Sequence, residues 1–240
     1  MPIVLGVTGS IATGKSYLCQ YMVERYDVVH ADADKVVHRM YDPGKPGFDR
    51  IVAEFGDDVV GDDGFIDRKV LGGKVFGNTE RMGALTRAIG DIGAEMKRVI
   101  DEWRATLPDD KIAILEAVNL IEAGYSGWCD ATWLVGADDE VARPRLMARN
   151  NFTEEEANQR LASARKWQDR EPASDRVFLN NTTLEALQQA IDRATEETLA
   201  QVKAGTLPKS RWHQWWDDTK DEREKMRLAR EAAAAKEKQS

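Results

Sequence analysis

The residues best suited to chemistry stand near the start of the chain, in the stretch GVTGSIATGKS at residues 6–16. The spacing Gly9-x-x-x-x-Gly14-Lys15-Ser16 fits the pattern of a loop that binds phosphate groups. Glycines permit backbone angles at which successive N–H groups turn inward and form a concave anion site. A helix that starts at Lys15 adds the positive end of its dipole and its unpaired N–H donors.

The flanking residues decide between a nucleotide loop and a glycine-rich turn that contains a lysine by chance. The apolar run Pro2–Leu5 precedes the motif, and a helical pattern from Tyr17 to Met22 follows it. The motif therefore joins a strand to a helix, as a nucleotide loop requires. Lys15 is predicted to reach the β- and γ-phosphates, and the Ser16 hydroxyl to hold Mg²⁺.

Two acidic residues follow the second predicted strand, in VVHADAD. Ligands bind at the carboxyl edge of an open parallel sheet, and this is where Asp32 and Asp34 fall. Two acids separated by one residue point the same way in an extended chain. One would accept a proton from a substrate hydroxyl, and the other would hold metal-bound water. The alternative is that an aspartate caps a helix that starts at Lys35.

The rest of the chain alternates strands with helices, which indicates an α/β fold with a parallel sheet. Several stretches are nearly continuous apolar runs, as expected for strands that are buried on both faces. The predicted strands are Ile3–Val7, Asp27–His30, Lys111–Leu115, Ala131–Val135 and Arg176–Leu179.

Capping residues predict where several helices begin. Asn78 is the predicted N-cap of one long helix over residues 79–106. Thr153 and Glu156 have the spacing of a capping box, so another helix is predicted to start there. An amphipathic helix over Leu184–Val202 is predicted to close the domain.

Composition restricts the cellular setting and the partners. The net charge of −8 argues against a broad nucleic-acid footprint. Only Cys19 and Cys129 are present, which indicates a reducing compartment without a disulfide framework. No apolar run approaches the length of a membrane span. We expect a cytoplasmic protein with no membrane, nucleic-acid or obligatory protein partner.

The composition changes after Pro208. Residues 209–240 hold nine Lys or Arg and seven Asp or Glu, and most of this stretch is rich in helix-forming residues. It has almost no apolar face, so a solvated helix is predicted. Trp212, Trp215 and Trp216 are the exception, and they are predicted to dock the start of this tail on the body. The alternative is a partner surface.

Taken in order, these motifs resemble the dephospho-CoA kinase family over most of residues 3–182. The resemblance rests on the loop LGVTGSIATGKS, the triplet Asp32-Ala33-Asp34 and several later stretches. These stretches are DPGKPGFDRIVAEFGDDVV, DDGFIDRKVLGGKVFGN (62–78), RPRLMARNNFTEEEANQRL (143–161) and SDRVFLNN (174–181).

The resemblance implies a P-loop NTPase-type three-layer fold with a five-stranded parallel sheet. It implies a kinase domain over residues 1–208, with a helical substrate-binding insert at about 42–107 and a lid at about 143–172. Residues 209–240 form the charged, helical tail. It also implies ATP and Mg²⁺ as cofactors and dephospho-CoA as the small-molecule acceptor.

The family's roles carry over residue by residue. Asp34 would be the general base on the ribose 3′-hydroxyl, and Asp32 and Ser16 would serve the metal. Lys15, Arg145 and Arg149 would surround the transferred phosphoryl group. The arginines have a second interpretation, as a solvated helix face paired with Glu154–Glu156. The implied nucleotide-binding residues are Gly9, Ser10, Ile11, Ala12, Thr13, Gly14, Lys15, Ser16, Tyr17 and Asn180.

Some positions depart from the family pattern. Gly90-Asp91 stands where the family has His-Pro, and residues 116–120 (EAVNL) stand where it has Asp-x-Pro-Leu-Leu. The family's lid glutamine is missing around Ala164. Two alternatives therefore stay open: a related kinase with another nucleotide-like acceptor, and a nucleotide-binding regulator without turnover.

Overall fold

The computed structural model of the protein describes residues 1–237. Two compact units divide the chain. The first unit contains Met1–Asp32 and Lys97–Asp218, and the second contains Ala33–Met96 and the chain from Thr219 onward. None of the helices within residues 1–237 is both long enough and apolar enough to cross a lipid bilayer. The ranges predicted for the kinase domain, the insert and the lid stay predictions.

The first unit is built on a five-stranded sheet in which every neighbouring pair is parallel, as predicted. The spatial order is β2-β3-β1-β4-β5. Every residue of the three central strands is buried, which explains their continuous apolar sequences. The strands are β1 (Ile3–Gly9), β2 (Val29–Asp32), β3 (Ile112–Glu116), β4 (Ala131–Gly136) and β5 (Arg176–Leu179).

The second strand begins two residues later than predicted. Asp27 ends the preceding helix in a left-handed conformation with φ of 52°, so the chain becomes extended only after it. This shift places Asp32 inside the strand as its last residue. Asp32 is therefore the residue with which β2 reaches the carboxyl edge of the sheet.

Eleven α-helices are present in residues 1–237. The predicted caps are confirmed, since the Asn78 side chain accepts from the Arg81 amide at 2.9 Å and Thr153 forms a capping box with Glu156. The helices are α1 (Lys15–Tyr26), α2 (Ala33–Arg39), α3 (Pro46–Phe55), α4 (Arg68–Val75), α5 (Thr79–Ile89), α6 (Ile92–Thr106), α7 (Asp139–Asn150), α8 (Glu154–Ser163), α9 (Leu184–Ala204), α10 (Arg211–Asp218) and α11 (Lys220–Glu237).

Helices α1 and α9 contribute to the main core of the first unit. Leu18 and Met22 of α1 and Ile191 of α9 are fully buried in one cluster with Leu5 and Trp133 of the sheet. Burial of each such side chain contributes about 1.5–3 kcal/mol. This packing fixes α1 against β1 and so fixes the loop that joins them.

The predicted single helix over residues 79–106 is wrong, because Gly90-Asp91 divides it into α5 and α6. Gly90 has φ of 110° and ψ of −159°, a backbone conformation that residues other than glycine rarely adopt. The Asp91 carboxylate accepts a hydrogen bond from the Ala94 amide at 2.9 Å and supports the start of α6.

Arg50 satisfies the carbonyl groups that the end of α5 leaves without helical partners. Its Nε donates to the Ala88 carbonyl at 2.7 Å, and its Nη2 donates to the Ile89 carbonyl at 3.1 Å. These charge-assisted bonds replace those that a continuous helix would make. The interruption is therefore a stabilised element of the fold.

The structure confirms that the tryptophans of α10 dock on the first unit. Trp212 is buried against Ile121 and Ala173, and its Nε1 donates to the Ile121 carbonyl at 3.1 Å. Trp215 and Trp216 are partly buried beside it. Residues 211–218 thus belong to the packed body and not to the solvated helix predicted for the tail, and the last tail residues, 238–240, lie outside the described residues.

We predict opposite effects for two glycine-to-alanine substitutions in the second unit. Gly90→Ala should lower the free energy of unfolding by about 1–3 kcal/mol, because alanine is strained at this φ. The added Cβ would also lie 3.1 Å from Arg50 Nη2. Gly73→Ala is the control, since no atom lies within 4 Å of its added Cβ inside α4.

The control should leave stability unchanged or raise it by up to about 1 kcal/mol, as helix propensity dictates. Urea denaturation followed by circular dichroism measures both variants. Equal midpoints for the two variants would contradict the assignment of strain to Gly90.

Candidate active site

The phosphate loop occupies Ser10–Gly14, between the end of β1 and the start of α1. The Thr13 hydroxyl is buried and donates to the Ser10 carbonyl at 3.0 Å, which closes the turn. Ala12 and Gly14 both have positive φ, 58° and 97°. The loop therefore has the tightly turned backbone that the glycine spacing predicts.

Asn180 holds the loop from the end of β5. Its Nδ2 donates to the Thr13 carbonyl at 3.0 Å, and the side chain is buried. A Cβ on residue 14 would lie only 2.4 Å from that same nitrogen. Two constraints thus require glycine at position 14: the positive φ and the close approach of the Asn180 side chain. The structure places Asn180 against the loop, and its predicted contact with the nucleotide stays a prediction.

The first amides of α1 are available to an anion. Within the described residues, no backbone carbonyl accepts from the amides of residues 14–17. The first turn of a helix leaves its N–H groups without helical partners, and the helix dipole adds partial positive charge there. The arrangement suits phosphate oxygens. The Tyr17 amide is one of these N–H donors.

A buried carboxylate joins the loop to the sheet. Glu116, the last residue of β3, is 2% exposed and its Oε1 accepts from the Lys15 ammonium and from the Ser16 hydroxyl, the latter at 2.6 Å. Its Oε2 lies 2.8 Å from His30 Nε2. Three donors from α1 and β2 therefore converge on one side chain.

These donors keep Glu116 ionised. Burial acts to raise its pKa, but the hydrogen bonds from His30, Lys15 and Ser16 and the charge of Lys15 outweigh burial. The pKa of Glu116 is consequently held far below its ordinary value. Since an ionised carboxylate only accepts hydrogen bonds, His30 carries its proton on Nε2 in this contact.

Cys19 lies beside the same carboxylate, one turn into α1. Its side chain is fully buried. Burial raises the pKa of the Cys19 thiol well above its ordinary value, and the negative charge of Glu116 raises it further. The thiol is therefore protonated at neutral pH.

The oxygen groups at this edge of the sheet are of the types that a magnesium ion binds. Asp32 and Glu116 are directly paired across β2 and β3, so two carboxylates leave the sheet at the same edge. The Ser16 hydroxyl contacts Glu116 at 2.6 Å. Mg²⁺ prefers a hydroxyl, one or two carboxylates and substrate phosphates to an all-protein cage. Ser16, Asp32 and Glu116 supply that donor set.

The acidic pair differs from its predicted arrangement. Asp32 ends β2, but Asp34 lies in the first turn of α2, so the two are not neighbours on one extended face. The chain turns helical at Ala33, and the expectation of an extended pair is wrong. The helix of the alternative interpretation begins earlier than Lys35, because α2 starts at Ala33 and already includes Asp34.

Arg145 is connected to the phosphate loop through Asn180. Its Nη1 donates to the Asn180 carbonyl at 3.0 Å, and its Nη2 contacts the Asn180 side-chain oxygen at 3.3 Å. Arg149 lies one helical turn further along α7, where its Nε donates to Asn150 at 2.9 Å. The pair shares a helix face by its four-residue spacing. Neither arginine is paired with Glu154–Glu156 in these hydrogen bonds.

The segment after α8 lies beside the loop. The Ser10 hydroxyl donates to the Arg165 carbonyl, and a shallow cleft opens between this segment and the loop. Ile11, Ala164 and Trp167 are among the residues that line it. The predicted lid range therefore contacts the phosphate loop at Ser10.

Sequence reasoning assigned no role to Glu116 or His30. A signal was present, because Glu116 is an acidic residue that ends a buried strand next to the strand that ends in Asp32. The rule that ligands bind at the carboxyl edge of a parallel sheet applies to both strands. His30 gave no such signal, since its partner is 86 positions away in the sequence.

The geometry agrees with what comparison with known proteins shows. The sequence model of the family described as dephospho-CoA kinase matches residues 3–186. The chain belongs to the dephospho-CoA kinase family. It is accordingly a phosphotransferase of the kinase class. This family membership accounts for the phosphate loop and for the five-stranded parallel sheet.

Two relatives illustrate the similarity. A protein from Geobacter sulfurreducens named dephospho-CoA kinase is 36% identical over 193 residues, which cover 79% of this chain and 95% of that protein. A protein of the same name from Symbiobacterium thermophilum is 34% identical over 192 residues, covering 80% of this chain and 79% of the relative.

Solved structures agree with the fold. A crystal structure of a Thermus thermophilus protein matches with a TM-score of 0.66 and 27% identity, and covers 82% of this chain and 97% of that one. A dephospho-CoA kinase from Campylobacter jejuni matches with a TM-score of 0.54 and 21% identity, covering 81% and 96%. The second match supports the fold alone.

Glu116→Gln should destabilise the protein near neutral pH. The substitution removes the charge that binds Lys15 and replaces one acceptor by an amide donor, and we expect a loss of at least about 2 kcal/mol. The control is Glu197→Gln, which removes an exposed ion pair with Arg176 and should cost less than about 1 kcal/mol.

The direction in which pH changes the stability difference between wild type and Glu116→Gln can be stated. Because the folded pKa of Glu116 is depressed, its stabilising contribution is complete above the unfolded carboxyl pKa and disappears as pH falls through the folded value. The difference between wild type and Glu116→Gln should therefore shrink from neutral pH to about pH 3. Urea denaturation at several pH values measures it, and a constant difference would contradict the assignment.

Proposed function

We propose that this protein transfers the γ-phosphoryl group of ATP to the ribose 3′-hydroxyl of dephospho-CoA, which yields coenzyme A and ADP. The observation that carries the proposal is the loop in which Lys15 and Ser16 converge on the buried Glu116 at the carboxyl edge of the sheet. Membership of the dephospho-CoA kinase family supplies the acceptor.

The loop binds the nucleotide phosphates. The amides at the start of α1 donate to phosphate oxygens, and the Lys15 ammonium exchanges its contact with Glu116 for the β- and γ-phosphates. Ser16, Asp32 and Glu116 hold Mg²⁺, either directly or through water. When bound, Mg²⁺ would supply positive charge that offsets the negative charge developing on the phosphate oxygens.

Asp34 acts as the general base. Its carboxylate accepts the proton of the ribose 3′-hydroxyl as that oxygen forms a bond to the γ-phosphorus. The bond between the γ-phosphorus and the bridging oxygen breaks, and ADP leaves with the electron pair. A pure nucleotide-binding regulator would not need this carboxylate, so retention of Asp34 favours an active kinase.

Arg145 and Arg149 bind the transferred phosphoryl group. A guanidinium presents several N–H donors in a plane that matches phosphate oxygens. Arg145 is oriented by two contacts with Asn180, the residue that also holds Thr13. Arg145 is therefore connected to the loop through Asn180. Arg149 reaches the same ligand from the next turn of α7.

The net charge and the free cysteines bear on the cellular location and on the class of partner. We infer a cytoplasmic location, because Cys19 and Cys129 are free thiols in the structure, as in a reducing compartment. We infer a small molecule as the partner of this site, since a net charge of −8 does not favour nucleic acid.

One observation favours a second acceptor. The helix interruption at Gly90-Asp91 falls where the family pattern has His-Pro, in the range predicted to bind the acceptor. Glycine and aspartate stand in place of an imidazole and a proline ring, so the side chains offered at these two positions differ from the family pattern. A related kinase that acts on another nucleotide-like hydroxyl is therefore the second candidate.

Asp34→Asn should lower kcat by roughly 10²–10⁴-fold, as expected for the loss of a general base. The affinity for ATP, measured by calorimetry, should change little. Asp32→Asn is the comparison and should have the milder effect on kcat if Asp32 orients metal-bound water. A larger loss with Asp32→Asn would reverse the two roles.

A panel of acceptors tests the substrate. ADP release is measured with dephospho-CoA, AMP, adenosine, dCMP, shikimate and water, and dephospho-CoA should give the highest turnover. Misplacement of the acceptor hydroxyl by about 1 Å costs roughly a hundredfold in rate, so poor acceptors are distinguishable. Phosphorus NMR of the product should place the new phosphate on the 3′-oxygen.

Preference for a nucleoside monophosphate would overturn the acceptor but leave the kinase class. ATP binding without turnover on any acceptor would favour the regulator.

A further inference from the structure

A cluster of three different ligand types lies behind the phosphate loop. Cys19 Sγ, one imidazole nitrogen of His30 and one carboxylate oxygen of Glu116 all lie within 4.8 Å of one another. The three residues come from α1, β2 and the end of β3. The proposed phosphoryl transfer uses Glu116 but has no role for the thiol or the imidazole.

The chemistry of this donor set differs from that of the magnesium site. A sulfur, an imidazole nitrogen and a carboxylate oxygen are the ligands of Zn²⁺, whereas Mg²⁺ prefers oxygen alone. Three protein ligands leave a fourth position for water. His30 is 24% exposed, so an ion has a route to the cluster, while Cys19 and Glu116 are buried.

We propose that Cys19, His30 and Glu116 form a zinc site whose occupation inhibits nucleotide binding. The basis is the position of Glu116, which accepts hydrogen bonds from Lys15 and Ser16 through Oε1 and faces His30 through Oε2. A divalent ion on the Oε2 side engages the carboxylate that supports both loop residues.

The inhibition has one physical cause, which is competition, because the zinc site and the magnesium donor set share Glu116. Inhibition by zinc should therefore weaken as the concentration of MgATP rises.

Occupation of the site is a proton-balanced ligand exchange. The Cys19 thiol loses one proton to solvent and binds as thiolate. His30 binds through Nε2 as a neutral imidazole with its proton on Nδ1, and any further ring proton is lost to solvent. The Nε2–Glu116 hydrogen bond is replaced by two bonds to the metal. No electron is transferred.

The other cysteine provides a matched control. Cys129 is also a buried free thiol of the first unit, and its Sγ lies 3.5 Å from the Tyr125 carbonyl. Among the residues that the structure describes, it belongs to no group of three possible metal ligands. Loss of the Cys129 thiol should leave the proposed site intact.

Cobalt binding tests the site without any kinase reaction. Co²⁺ is added to the nucleotide-free protein, and the near-ultraviolet absorption of a thiolate–cobalt bond is recorded. Wild type and Cys129→Ser should develop this band, and Cys19→Ser should not. His30→Gln should weaken cobalt binding by at least about tenfold, because it removes a ligand. A band that persists in Cys19→Ser, or no band in wild type, would overturn the site.

Zinc inhibition tests the consequence. Free Zn²⁺ is buffered by a chelator, MgATP is varied, and each variant is compared with its own rate without zinc. Half-inhibition should require at least about tenfold more zinc in Cys19→Ser and His30→Gln than in wild type or Cys129→Ser. Equal sensitivity of all four proteins, or inhibition unaffected by MgATP, would refute the inhibitory role.

Circular dichroism verifies that each variant is folded. Should Cys19→Ser fail to fold, Cys19→Ala and His30→Gln carry both experiments. Because cobalt absorption requires no turnover, an inactive kinase would contradict the proposed function and leave the metal site testable.

Discussion

The carboxylate of Glu116 connects the buried sheet with the phosphate loop. A charged group in this position is unfavourable unless donors surround it. Lys15, Ser16 and His30 supply those donors from α1 and β2. The requirement to satisfy one buried charge therefore constrains where α1 starts, where β2 lies and where β3 ends. The loop between β1 and α1 has its shape because both of its ends are held.

The parallel sheet concentrates charge at one edge. Asp32 and Glu116 end neighbouring strands in register, so two like charges leave the sheet side by side. Such a pair attracts cations. The Lys15 ammonium and the hydrogen-bond donors on Glu116 offset the repulsion between the two carboxylates. The same concentration explains why one edge can support nucleotide phosphates, magnesium and the proposed zinc ion. Asn180 adds rigidity from the other side of the loop.

Local sequence signals predicted much of the fold, because they depend on residues close together in the chain. The five strands and the caps at Asn78 and Thr153 are of this kind. Two of the errors came from residues with positive φ. Asp27 delayed β2, and Gly90 interrupted the helix predicted over residues 79–106. Helical periodicity continues through Gly90, so the pattern alone could not reveal a break that Arg50 stabilises.

The sequence by itself determined the phosphate loop, the alternation of strands and helices, and the family resemblance, since each is written in consecutive residues. Only the tertiary structure decided that Cys19, His30 and Glu116 share one site, and that Asn180 contacts Thr13. These contacts join residues up to 167 positions apart. They depend on strand order and register, which bring distant side chains together and which no local pattern specifies.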